Sequence, residues 1–554
     1  MCGIFCLIGN KNCNENTPKE FEAIREGTLK RGPDYNNYRN YTFENIKVFL
    51  AASVLWLQGK NITKQPIEDD KSIFIYNGDI FGGDINNELK LEIGDTTLFH
   101  EALLNSNGKM ARTLSNLHGP YAFIYLNKIE NKLYFGRDIY GRRSLLVGKS
   151  GPNLVLSSVY KRNLSDFIEL PSIGTFCYDL TNNKYYIYPW QYKNSNFEVK
   201  LKELQDFLGV IIEINYQIPL QLNTEFKNPL DLSCFECLSQ ENPLDTLLQD
   251  KQWFKSMKHL QNLLKNALQT RISTQPKHCK NCLKNKNNCN HSTTGVLFSG
   301  GIDCSILALL SDKYIDKNRP IDLINVAFDE KNNYQTPDRL TGLQTLQELQ
   351  LLCPKRTWNF VSVNVTQKEL NLERQNHIAD LIYPLNTILD DSLGCALWFA
   401  ARGRTSEYES PCRVLLVGMG ADELFGGYTR HRAALKKDGW KGLHDVLNQD
   451  WQNISHRNLA RDDRVVADHG RQLRTPFLDE NVVEFVRNLH AWQKTYPSSD
   501  VPQGVGEKIL LRSLGYHLGL KNAAVFKKRA LQFGSRIANS KEHAHEISSR
   551  LIKQ

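Results

Sequence analysis

Gly295-Val296-Leu297-Phe298-Ser299-Gly300-Gly301-Ile302-Asp303-Cys304-Ser305-Ile306-Leu307 is the stretch from which the second half of this chain can be read. An apolar run meets a Ser-Gly-Gly turn, and Ile306, Leu307, Leu309 and Leu310 then share one helical face, so strand, tight loop and helix are expected in that order. The glycines let the backbone approach an anion, the loop amides and the hydroxyls of Ser299 and Ser305 can donate to it, and the helix N-terminus adds positive partial charge. Asp303 does not fit a bare anion site. A carboxylate among phosphates requires a divalent cation between them, and Mg²⁺ with oxygen ligands is the usual one. The plainer alternative is a buried strand-turn-helix with a capping Asp. The spacing is not that of the G-x-x-x-x-G-K-[ST] loop.

Downstream, strands and helices alternate: strands are expected at 321–328, 360–365 and 413–417, and helices at 338–352 and 370–381. This βαβ pattern predicts a parallel sheet with its ligands at the carboxyl ends of the strands. The strand ending at Val417 runs into Gly418-Met419-Gly420-Ala421-Asp422-Glu423-Leu424-Phe425-Gly426-Gly427-Tyr428. A Gly-rich turn followed by carboxylates again brings amides and a metal ligand together, so Asp422 is paired with Asp303 as a candidate Mg²⁺ site.

The first part of the chain reads differently. Short strand-like runs at 4–8, 48–54, 72–76, 121–126, 132–135 and 144–147 alternate with turn residues, which predicts a β-rich layered domain. Cys2 stands at its start. Once Met1 is removed, a thiol and a free α-amino group belong to one residue, and an amine with a pKa near ~8 can take the thiol proton at neutral pH. A Cys at position 2 means little alone. Here Met1-Cys2-Gly3-Ile4 is followed by Arg31-Gly32-Pro33-Asp34, Asn77-Gly78-Asp79-Ile80-Phe81, Gly94-Asp95, Gly136-Arg137-Asp138 and Gly141-Arg142-Arg143-Ser144-Leu145.

In that order these elements resemble the class II glutamine amidotransferases, an N-terminal-nucleophile α+β fold with two antiparallel sheets between helices. The 299–305 loop resembles the S-G-G-x-D-x-S loop of ATP pyrophosphatases, an α/β parallel-sheet fold. Joined, they resemble the glutamine-hydrolysing asparagine synthetases, in a divergent branch. The resemblance implies that Cys2 attacks the glutamine amide, that Asn77 and the N–H of Gly78 form the oxyanion hole, and that Asp79 and Asp95 hold the glutamine α-amino group. It further implies Leu297 and Phe328 near adenine, Ser299, Gly300, Gly301, Asp303, Cys304 and Ser305 at the pyrophosphate, Gly418 near AMP, and Lys528 with Arg529 against the leaving pyrophosphate. ATP, Mg²⁺, glutamine and aspartate are the expected cofactors and substrates.

Three departures stand out. Asp79 replaces the family's Glu. Val54 replaces the Arg that clamps the glutamine α-carboxylate, which an aliphatic side chain cannot do, leaving Arg31 as a candidate substitute. Met419 replaces a Glu placed on the attacking ammonia, a general-base contribution of about 10²-fold or more. A two-site ligase is therefore weighed against a degenerate relative that keeps both folds as a binding or assembly scaffold. For the ligase, two separated sites require an internal ammonia passage sheltered from water.

At 554 residues, with 41% hydrophobic and 23% charged residues, the chain is expected to form several soluble domains. The expected division is an amidotransferase domain at 1–190, a connecting segment at 191–292 and a synthetase domain at 293–540. No apolar run approaches the ~20 residues of a membrane span, and no basic leader starts the chain, so a cytosolic location is expected. The net charge of +9 is dispersed apart from a basic segment near 277–286, so no nucleic-acid partner is expected. The oligomeric state is left open. Thirteen cysteines in such a chain are expected as reduced thiols. Cys279 and Cys282, before Cys289-Asn290-His291, have C-x-x-C spacing, and Cys234 with Cys237 offers a second pair. About forty residues separate the pairs, too many for the usual knuckle spacing, so a Lys- and Asn-rich surface loop without metal is expected.

Overall fold

The computed structural model describes residues 2–10, 17–85, 87–106, 109–190, 196–215, 226–227, 235, 243–283, 289–498, 501, 504–538 and 542–552. Cys234 and Cys237 lie outside the described residues. Two antiparallel-rich sheets build the N-terminal part. The first runs in the order Phe167–Glu169, Leu146–Ser150, Asn153–Ser157, Gly3–Asn10, Ile46–Val54, Tyr35–Phe43. The second runs Ile212–Ile214, Lys184–Pro189, Gly174–Asp179, Lys132–Arg137, Tyr121–Asn127, Ser72–Gly78, Ile67–Glu68.

Strand periodicity sorts the side chains. Along Gly3–Asn10, Ile4, Cys6 and Ile8 enter the core between the sheets with Ile73 and Ile75. Phe5 and Leu7 point the other way, under Phe21 and Ile24 of the Lys19–Arg31 helix. On the second sheet Phe74 and Tyr76 pack outward on Phe99 of the Asp95–Leu104 helix. Both faces of both sheets are covered, giving four layers with the Gly3–Asn10 strand in the interior of one sheet.

Two sequence expectations shift here. From sequence, Phe207 to Ile214 reads as one strand, but Phe207 and Leu208 end a Phe197–Leu208 helix, with Phe197, Leu201, Leu204 and Leu208 buried, followed by Gly209 at φ 58° and a short Ile212–Ile214 strand. That spacing is helical, and left-handed glycine is a usual stop. The strand expected at 144–147 begins at Leu146, because the Leu145 N–H (2.7 Å) and Ser144 hydroxyl (3.0 Å) donate to Glu169.

The C-terminal part is a five-stranded, wholly parallel sheet in the order Trp358–Asn364, Ile321–Ala327, Thr294–Leu297, Val414–Leu416, Gln472–Arg474. In chain order that is 3-2-1-4-5, so the topological switch falls between the first and fourth strands, where a crevice opens at their carboxyl ends. The two Gly-rich motifs follow those two strands. The Lys251–Ser273 helix packs Leu260, Leu264 and Leu268 on one face of this sheet. The Ile388–Arg402 helix packs Trp398 and Phe399 on the other.

Buried ion pairs join the two parts. Asp463 is fully buried and accepts from Arg31 (2.7 Å), Arg143 (3.2 Å) and the Ser144 N–H (3.3 Å). Arg464 pairs with Glu169, and Arg413 with Asp34. Burial works against the Asp463 charge, but the Arg31 and Arg143 guanidiniums outweigh it and hold the carboxyl below its ordinary range. Asp463→Ala leaves two buried guanidiniums uncompensated and is expected to cost about 3–5 kcal/mol, read as a lower first transition in a thermal melt. Because the folded pKa is depressed, this contribution is present above the ordinary carboxylate range and lost as pH falls through the folded value. The gap between wild type and variant should therefore narrow in acid.

Candidate active site

The even-numbered residues of Gly3–Asn10 face the inter-sheet core, and Cys2 belongs to the same row. Ile73 and Ile75 carry the facing row from the second sheet, which Asn77 continues. The two rows meet where both strands end: the Cys2 N–H donates to Asn77 Oδ1 at 2.9 Å, while buried Asn77 Nδ2 has no partner among the described residues. A free amide donor beside a nucleophile is what an oxyanion hole requires. Gly78 must lack a side chain, since a Cβ there would lie 2.2 Å from the Pro120 carbonyl oxygen.

Burial pushes the Cys2 thiol above its ordinary value, with Asp95 adding to it; the N-terminal charge, the Leu55 backbone and Arg31 oppose. The thiol therefore needs a base. Gln65, which the motif reading did not include, places its Nε2 3.8 Å from Cys2 Sγ and is oriented by the Tyr76 N–H donating to its Oε1 at 2.7 Å.

The recognition residues divide. Arg31 donates from Nε to the Cys2 carbonyl at 3.2 Å and from Nη2 to Asp463, and its buried Nη1 has no partner among the described residues. Val54 is 4% exposed and packed into the inter-sheet core, so it offers a carboxylate nothing. Asp95 accepts from the Tyr76 hydroxyl at 3.0 Å and the Ile80 N–H at 2.9 Å. Burial, with the neighbouring Asp79 charge, pushes its carboxyl up to about 6. Asp79 already has partners: it accepts from Gln58 at 2.9 Å, from Arg474 of the C-terminal sheet at 3.0 Å and from Arg143 at 3.4 Å. Its charge is spent on guanidiniums, which sequence alone does not show.

The second constellation lines a cleft of about 650 Å³ at the topological switch. Leu297, Ser299, Gly301, Asp303, Cys304, Gly418, Met419, Asp422 and Lys528 all border it. Gly300, Ser305 and Phe328 do not. Gly300, at φ 78°, lets the loop turn where a Cβ would lie 2.4 Å from the Thr341 carbonyl. The Ser305 hydroxyl donates back to Gly301 O at 2.7 Å. Phe328 packs against Phe399 with ring centroids 5.9 Å apart.

Asp303 and Asp422 do converge, but around Lys508, whose Nζ donates to both Asp303 oxygens (2.8 and 2.6 Å) and lies 2.9 Å from Asp422. Lys528 reaches the other Asp422 oxygen at 3.0 Å. Burial disfavours the Asp422 charge, yet Lys508 and Lys528 outweigh it and hold the carboxyl well below its usual range. Lys508 sits at φ 54°, a conformation uncommon for a side-chain-bearing residue and concentrated at functional sites. It lies in Gly506-Glu507-Lys508, a run that also resembles the family's sequence but to which no role attaches from sequence alone. Asp338 also borders the cleft; burial pushes it up to about 7 against Arg529 and Lys528. No motif pointed to it. A larger cleft of about 1200 Å³, around Phe81, His118, Arg142, Trp451 and Glu480, contains neither constellation.

Residues 290–443 and 435–552 match the family described as Asparagine synthase, and residues 1–172 the one described as Glutamine amidotransferase domain. The chain is 38% identical over 577 residues to Asparagine synthetase domain-containing protein CG17486 of Drosophila melanogaster, covering 100% of both chains. The chain belongs to the asparagine synthetase family. It is likewise 34% identical over 631 residues to Asparagine synthetase domain-containing protein 1 of Mus musculus, covering 100% of this chain and 99% of that one. To Putative asparagine synthetase [glutamine-hydrolyzing] 1 of Methanocaldococcus jannaschii it is 24% identical over 465 residues, covering 82% and 71%. The four-layer part is thus the N-terminal-nucleophile amidotransferase domain of this family, and the parallel sheet its synthetase domain.

Within the family's two-domain plan, Arg461-Asp462-Asp463-Arg464 acts largely as structure. Arg461 pairs with Asp390 at 2.7 Å and with Asp462, while the next two residues hold the amidotransferase domain in place. No helix among the described residues is long and apolar enough to cross a membrane. All ten cysteines among them are free thiols.

Proposed function

We propose that the chain hydrolyses glutamine at Cys2 and uses the ammonia, with ATP, to convert aspartate to asparagine. The observation that carries this is the pairing of Cys2 nitrogen with Asn77 Oδ1 at 2.9 Å while Asn77 Nδ2 remains unpartnered among the described residues. After Met1 is removed, the amine takes the Cys2 proton, the sulfur attacks the carboxamide carbon, and Asn77 Nδ2 with the Gly78 N–H stabilises the oxyanion. The amine returns the proton to the leaving ammonia, and water hydrolyses the glutamyl thioester.

At the cleft, the aspartate side-chain carboxylate attacks the α-phosphorus of ATP and pyrophosphate leaves; ammonia then displaces AMP from the acyl-adenylate. The donor set fits a nucleotide with Mg²⁺. Two carboxylates and two ammoniums, Lys508 and Lys528, cancel within the cluster, so the charge of a polyphosphate calls for a further cation, and Asp303 and Asp422 are the oxygen ligands that would hold it. Mg²⁺ would supply neutralisation of the leaving pyrophosphate.

Glutamine recognition falls to Arg31 Nη1 for the α-carboxylate and Asp95 for the α-amino group. Arg31→Lys keeps a charge but loses the fork, and the glutamine KM should rise by about tenfold in a glutamate-release assay. Asp95 supplies its counter-charge only when ionised, that is above about 6. Hence kcat/KM for glutamine should fall about tenfold per pH unit below that value. Asp95→Asn should lower kcat/KM throughout and abolish this acid limb. An acid limb unchanged in Asp95→Asn would remove Asp95 from the site.

A second reading, a scaffold without turnover, is favoured by buried Val54 and by Met419 at the cleft. Product analysis with amide-labelled glutamine, ATP and a panel of carboxylic acids decides between them. Labelled asparagine with AMP and pyrophosphate supports the ligase; no glutamate and no pyrophosphate with any acceptor selects the scaffold.

A further inference from the structure

Between the Lys251–Ser273 helix and the Thr294–Leu297 strand, four side chains of metal-ligating type converge. The ligand atoms of Cys279, Cys282, Cys289 and His291 all lie within 4.8 Å of one another. The Cys282 and Leu283 N–H groups both donate to the Cys279 carbonyl, at 3.2 and 3.1 Å, a tight turn that puts the two thiols of C-x-x-C on one side. Chain continuity returns Cys289 and His291 to them six residues later. The expected second pair, Cys234 and Cys237, is therefore not needed to complete a set of four.

We propose that Cys279, Cys282, Cys289 and His291 bind one Zn²⁺ ion as a closed structural site. The distances fit it. With Zn–S near 2.3 Å and Zn–N near 2.0–2.1 Å, a tetrahedral site has S···N edges of about 3.6 Å. His291 Nδ1 lies 3.6 Å from Cys279 Sγ and 3.5 Å from Cys282 Sγ. An imidazole Nδ1 has a single in-plane lone pair, which serves one thiol as a hydrogen-bond acceptor but not two. A cation at the common centre satisfies all four. Three thiolates and one neutral imidazole around Zn²⁺ leave one negative charge, which suits Lys277 and Lys280 beside it in the chain.

The site would hold architecture rather than perform chemistry. Four protein ligands leave no open position. The Lys280 N–H donates to the Pro411 carbonyl at 2.9 Å, and the Ser292 hydroxyl lies 3.0 Å from both Thr294 O and Cys412 Sγ. The cluster thus sits where the two strands flanking the switch begin, at the amino end of the sheet and opposite the cleft. Its ion would clamp the entry of the strand that carries the 299–305 loop.

The test is metal analysis of the full chain purified without chelator from zinc-containing medium. One zinc per chain is expected, lost in Cys279→Ser/Cys282→Ser and retained in the control Cys353→Ser. Should the double variant not fold, the unaltered chain still decides: a mercurial titrated against the thiols should release the zinc, and cobalt exchange should give thiolate charge-transfer and tetrahedral d–d bands. Absence of zinc together with absence of the cobalt spectrum overturns the site. So does zinc retained in full by the double variant, or iron with acid-labile sulfide in place of zinc.

Discussion

Cys2→Ala is expected to lower glutamate release from glutamine by at least about 10⁴-fold while pyrophosphate release driven by ammonium salts continues. In the proposed mechanism the nucleophile and its base are one residue, so no neighbouring group can substitute for the sulfur. Cys6, in the same inter-sheet row, is wholly buried, and burial pushes its thiol far above its ordinary value. Alanine at position 2 keeps the backbone nitrogen that donates to Asn77, so the fold and the second domain should be undisturbed. The measurement is glutamate and pyrophosphate release in parallel, with glutamine or ammonium chloride as nitrogen source. Glutamate release within tenfold of the unaltered protein would place the nucleophile elsewhere.

Asp303→Asn carries the second largest effect, a loss of about 10²–10³-fold in acceptor-dependent pyrophosphate release with glutamine hydrolysis unchanged. The carboxylate binds Lys508 through both oxygens, and an amide holds neither that ammonium nor a divalent cation as well. Lys508 would then lean on Asp422 alone, which Lys528 already engages, and the cleft would lose one of the two carboxylates that would hold a divalent cation at the leaving pyrophosphate. Cys2 lies in the other domain and should not respond. Undiminished pyrophosphate release in Asp303→Asn would remove this cleft from the chemistry.

Local chemistry made much of the protein legible before any coordinates. The apolar runs at 4–8 and 72–76, the βαβ rhythm after 294 and the two Gly-rich turns each report a backbone state that neighbouring residues impose, and the structure has strands and loops there. The helical period of Phe197–Leu208 lies in a segment where the flanking signals are weak, so sequence alone does not mark it. The C-x-x-C pair meets its neighbours seven and nine residues downstream of Cys282, whereas the pair at Cys234 and Cys237 stands about forty upstream.

The sequence by itself determined the fold class and the order of the two domains, through strand and helix patterning and the resemblance its ordered motifs carry, and it named Cys2 and the 299–305 loop as candidate nucleophile and phosphate loop. Only the tertiary structure decided which charges are already taken. Arg143 and Arg474 on Asp79, Lys508 between Asp303 and Asp422, and Arg31 with one guanidinium nitrogen left over among the described residues all join groups from 29 to 432 positions apart. A buried charge is stable only with its partner. Folding chooses that partner across space, and no periodicity within a strand or helix records the choice.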